Sequence, residues 1–62
     1  MQWFVMVRSS ARGWRSYNEG QPYYSLDVAK RAAHQAASGD AYAVVHEGDR
    51  RGPIKYVACQ EG

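Results

Sequence analysis

Apolar and polar positions separate most cleanly between Ser25 and Gly39. Advancing about 100° per residue from Leu26, the positions Val28, Ala29, Ala32, Ala33, Ala36 and Ala37 share one half of a helical wheel with it. Asp27, Lys30, Arg31, His34, Gln35 and Ser38 fill the other half. Ser25 stands at the N-cap position, Asp27 in the first turn, and Gly39 where a left-handed residue ends a helix. The pattern predicts a helix over Leu26 to Ser38. Its buried side is mostly alanine, so it can lie close to its partner, and the partner must supply the bulk.

The flanking segments have strand periodicity. Gln2 to Arg8 is a run of aromatic and β-branched residues, and Trp14 to Asn18 alternates large with polar side chains. Ser9 to Gly13 is the turn between them, and Glu19 to Tyr24, with Gly20 and Pro22, is irregular. Beyond the helix, Ala41 to Glu47 and Ile54 to Gln60 read as a hairpin closed by Gly48 to Pro53. The order β-β-α-β-β predicts an α+β fold, a four-stranded and mostly antiparallel sheet with one helix packed on one face. At 62 residues the chain is expected to be one domain, residues 1–62, near the lower size limit for folding without metals or disulfides.

Side chains alternate faces along a strand, so pairing Glu47 with Ile54 sorts the hairpin. Ala41, Ala43, Val45, Ile54, Tyr56 and Ala58 then face the helix, together with Trp3, Val5 and Val7 of the first strand. Tyr42, Val44, His46, Lys55, Val57 and Cys59 take the other face, with Phe4 and Met6. One helix covers one face of such a sheet. The second face is therefore expected to be a partner-binding surface anchored by Phe4, Met6, Tyr42, Val44 and Val57, unless the Glu19 to Tyr24 loop folds over it.

Composition narrows the function. A net charge of +2 is mildly basic, less than a dedicated nucleic-acid binder carries, and the one cysteine cannot form an internal disulfide. A cytoplasmic protein is expected. No apolar run approaches the roughly 18 residues that span a membrane, and no membrane association is expected. The arginines gather at the two turns. Arg8, Arg12 and Arg15 bracket the first with Trp14 among them, and Arg50, Arg51 and Lys55 bracket the second, residue types that grip phosphates and stack on bases. The antiparallel topology points these turns to opposite ends of the sheet, so they are not expected to form one patch within a monomer.

Catalytic chemistry finds little support. His46 and Cys59 could share a face as base and nucleophile, but the register separates them by about 13 Å at 3.3 Å per residue. His34 sits on the polar half of the helix as a solvated side chain. Two histidines and one cysteine on separate elements do not make a metal site, and no phosphate loop or dinucleotide fingerprint is present. No enzymatic activity, metal or cofactor is expected.

Trp3-x-Val5, Gly13-Trp14, Ala29-x-x-Ala32-Ala33, Gly39, Val44-Val45-His46 and Gly52-x-Ile54 resemble the layout of small bacterial and phage β-β-α-β-β domains of uncharacterised function. In size and architecture the chain is also similar to some phage-encoded inhibitors of host defence, including anti-CRISPR proteins. That resemblance is one of architecture and transfers no residue role. A short chain with an apolar sheet face and arginine-bearing turns is expected to be a non-catalytic protein that blocks a surface on another macromolecule, with a protein as partner. A small nucleic-acid-binding module using Arg12, Trp14, Arg15, Arg50 and Arg51 is the alternative. A second copy of the chain is a further candidate occupant of the apolar face.

Overall fold

The computed structural model describes residues 1–37 and 41–59. Its elements are β1 (Trp3–Ser9), β2 (Gly13–Ser16), a 3-10 turn (Asn18–Gly20), α1 (Leu26–Ala36), β3 (Tyr42–Glu47) and β4 (Ile54–Cys59). The strands form one antiparallel sheet in the order β2-β1-β3-β4, and α1 packs on one face of it. The predicted α+β architecture is the observed one.

The core follows from alternation. Val5 and Val7 of β1, Ala43 and Val45 of β3 and Ala58 of β4 meet Ala29, Ala32, Ala33 and Ala37 of the helix segment. Alanines on the helix let it sit close to the sheet, and the valines fill the space. Trp3, Tyr17, Tyr23, Leu26 and Tyr56 close the margins of this layer. Tyr17 and Tyr23, between β2 and α1, thus pack on the helix side of the sheet. Tyr17 donates its backbone N–H to Val5 at 3.0 Å, and Tyr23 and Trp3 exchange two backbone hydrogen bonds of 2.7 and 2.8 Å. Between them Asn18, Glu19 and Gly20 all take positive φ (56°, 56° and 81°), which ends β2 earlier than its alternation suggests.

Ser25 has the extended backbone of an N-cap, and its carbonyl accepts from Ala29 N–H at 3.0 Å. Its side chain makes no capping bond. Ala37 ends the helix in extended conformation, and the expected glycine stop at Gly39 lies outside the described residues, as do Ser38 and Gln60. Val28 departs from its expected place under the helix, being 45% exposed. It lies about 140° around the axis from Ala33, at the border of the apolar half, and the narrow alanine contact does not reach it.

The hairpin register also differs from expectation. Val45 pairs with Tyr56, but His46 pairs with Ile54, so Lys55 is an extra residue in β4. This bulge moves Ile54 from the helix side to the face of His46, where it is 54% exposed. Lys55 does not join that row. Its Nζ lies 4.0 Å from Glu47 Oε1.

The candidate binding surface

The sheet face opposite α1 is built by every second residue of each strand. Phe4, Met6 and Arg8 of β1 pair with His46, Val44 and Tyr42 of β3. On the outer flanks, Trp14 and Ser16 of β2 pair with Arg8 and Met6, while Ile54 and Val57 of β4 pair with His46 and Val44. This row contains three titratable or charged strand residues, Arg8, Tyr42 and His46, and no acidic one. α1 packs against β1, β3 and β4.

Two groups of contacts shape this face. At one end Trp14 meets Tyr42 edge to face, 5.7 Å between ring centroids. Arg8, between them on β1, donates to the Tyr42 hydroxyl at 3.0 Å and lies 5.8 Å from the centre of its ring. At the other end the β3–β4 loop is held by several hydrogen bonds. His46 Nδ1 lies 2.8 Å from the Gly52 carbonyl, and Glu47 N–H donates to the Pro53 carbonyl at 2.9 Å. With Nδ1–H as the donor, Nε2 is the second ring nitrogen of a groove-lining imidazole. Arg51 N–H reaches Asp49 Oδ1 at 3.4 Å.

This loop brings Arg50 and Arg51 back over the sheet. Together with Met6, Trp14, His46 and Ile54 they line a groove of about 360 Å³. Arg50 extends far enough that a Cβ placed on Gly20 would lie 3.6 Å from its Nη1. Trp14 and the two arginines therefore share one site within a monomer, contrary to the expectation that opposed turns keep them apart. The turns do leave opposite ends of the sheet, but long side chains cross the distance. Arg12, in the β1–β2 turn, and Arg15, on the alternate face of β2, do not line the groove.

The predicted apolar anchors fare unequally. Val44 is only 2% exposed, flanked by its partners Met6 and Val57, so it cannot contact anything outside the chain. Phe4, Met6 and Tyr42 are half-buried, whereas Val57 is 52% exposed and Trp14 51%. Alternation placed His46 on this face with Phe4, Met6, Tyr42 and Val44, and the register adds Arg8 opposite Tyr42. Ile54 was hidden from such reasoning by the bulge.

On the helix side, His34 is engaged with the sheet and is not simply solvated. Its ring nitrogen hydrogen-bonds the Tyr56 hydroxyl and its ring meets Tyr56 at 5.5 Å between centroids, while Lys30 Nζ lies 5.2 Å from the same ring. The Tyr23 phenol is pushed up from its ordinary value, by burial first and by neighbouring Tyr17 second. Cys59 pairs in register with Tyr42, at the opposite end of β3 from His46. Among the described residues no three His, Cys, Asp or Glu side chains converge, and no helix is long and apolar enough to cross a membrane. No protein-family model, curated protein or solved structure matches the chain.

Proposed function

We propose that this chain is a non-catalytic binding domain that acts by occupying a surface of another macromolecule, with the sheet face opposite α1 as its contact surface. The observation that carries this reading is the groove itself. An exposed tryptophan, an exposed isoleucine and two arginines converge on it, and tryptophan and arginine are among the residue types that dominate binding energy at interfaces. An enzyme would need a nucleophile or a proton-transfer pair at the groove, and its lining offers a lone imidazole already committed through Nδ1.

The test compares immobilised wild type with Trp14→Ala and Ile54→Lys, and with Arg31→Ala on the exposed side of α1 as control, each incubated with cell lysate. Eluates are assayed for both protein and nucleic acid. A partner retained by wild type and Arg31→Ala but lost by both face variants supports the reading. Retention by all four chains would reject it.

A further inference from the structure

We infer that the groove takes single-stranded nucleic acid, one base seated against the Trp14 indole and its flanking phosphates on the Arg50 and Arg51 guanidiniums. This inference rests on the sheet face being the contact surface, and adds the chemistry of what binds there. Three cations surround the face. Arg8 lies at the Tyr42 end, and Arg50 and Arg51 at the hairpin end. None of them forms an ion pair among the described residues, where the one ion pair joins Lys55 and Glu47 on the edge of the sheet. Asp49, the nearest loop carboxylate, accepts from the Arg51 backbone and not from its guanidinium.

That charge distribution discriminates among occupants. An apolar protein patch would strip water from the Arg50 and Arg51 guanidiniums and return no partner for them. A second copy of this chain, seated face to face, would bring like charges together around the same groove. A nucleic-acid strand instead supplies a flat ring and an adjoining phosphate in every residue. The ring suits an indole fixed by its edge contact with Tyr42 and still 51% exposed. Guanidiniums suit the phosphates, which they can grip through two parallel N–H bonds. The strand must be single, because a duplex keeps its base faces stacked inside. Met6 and Ile54, which complete the groove lining with His46, give the base an apolar bed.

Fluorescence anisotropy with labelled oligo-dT and oligo-U of about ten nucleotides, within the usual site size of a small domain, tests this. Binding is expected at about 50 mM salt, weakening as salt rises with a logarithmic slope of about 0.7 per phosphate engaged. Trp14→Ala should weaken binding about tenfold and Trp14→Phe should restore much of it, since any aromatic face can stack. The double variant Arg50→Ala, Arg51→Ala should lower the slope by about 1.4, and Arg31→Ala should leave it unchanged. Equal affinity for the two oligomers supports recognition through base and phosphate alone. A preference for one supports the inference too and shows that the 2′-hydroxyl or the thymine methyl is read. Absence of binding, equal binding of a duplex, or an Arg31→Ala loss as large as that of the arginine pair would overturn it. Should the oligomers fail while the lysate partner still depends on Trp14, the contact surface stands and only the nucleic-acid inference falls.

Discussion

Trp14 and Tyr42 stand edge to face at 5.7 Å with their planes 81° apart, although β1 lies between their strands. Arg8 fills the gap by donating to the Tyr42 hydroxyl at 3.0 Å, so three strands are tied together on the exposed side of the sheet. Tyr42→Phe removes the Arg8 bond alone and should cost less than about 1 kcal/mol. Tyr42→Leu also removes the ring contact, and the total should approach 2 kcal/mol. Denaturant unfolding of both variants measures the difference. Equal losses would mean that the ring contact contributes nothing to stability.

The β3–β4 loop depends on the absence of a side chain at Gly52. A Cβ there would lie 2.1 Å from the Glu47 carbonyl oxygen, so Gly52→Ala must push the loop away from β3. The displacement breaks the His46–Gly52 and Glu47–Pro53 hydrogen bonds and should cost about 3 kcal/mol. Gly48 needs glycine for another reason, its φ of 79°, and a Cβ there meets nothing within 4 Å. Gly48→Asn should therefore cost under about 1 kcal/mol, since asparagine tolerates the left-handed region. Thermal melts that rank the two variants in the reverse order would refute this account of the loop.

Ala33 and Val28 fall on the same half of the helical wheel but in different environments. Ala33 is fully buried against the sheet, and Ala33→Glu should cost several kcal/mol, enough to unfold so small a domain. Val28→Glu should shift stability by no more than about 0.5 kcal/mol, because Val28 is 45% exposed. Circular dichroism of the two variants checks the contrast. A folded Ala33→Glu chain would contradict the placement of α1.

Alkaline stability should depend on Tyr23. Burial, reinforced by Tyr17, raises the phenol above its ordinary value of 10.0, so the folded state favours the neutral form. A raised value in the folded state means that the contribution is fully present below the unfolded pKa. It is then lost as pH climbs through the folded one. Tyr23→Phe has no proton to lose at this position and should keep more of its melting temperature between about pH 9 and 11. Parallel decline of both proteins over that range would show that Tyr23 is not linked to folding.

What could be read from the order of residues was what depends on local periodicity. The 3.6-residue pattern located α1, and the two-residue pattern put Val5, Val7, Ala43, Val45, Tyr56 and Ala58 beneath it. Phe4, Met6, Tyr42, Val44 and Val57 went to the other face for the same reason. A side chain's face follows from its own position in the repeat, so no distant contact is needed to assign it.

The tertiary structure decided what those faces present. One extra residue at Lys55 turned Ile54 onto the exposed face, because a one-residue shift in pairing exchanges the two sides of a strand. Val44 has the right parity for a contact residue but is enclosed by Met6 and Val57, and only the cross-strand pairing sets those neighbours. Arg50 and Arg51 lie in a turn that leaves the far end of the sheet from Trp14. They meet it because hydrogen bonds between loop and strand direct the turn back over the sheet. Faces follow from a local repeat. Which residues share a groove depends on register and loop path, set by contacts between residues far apart in the chain.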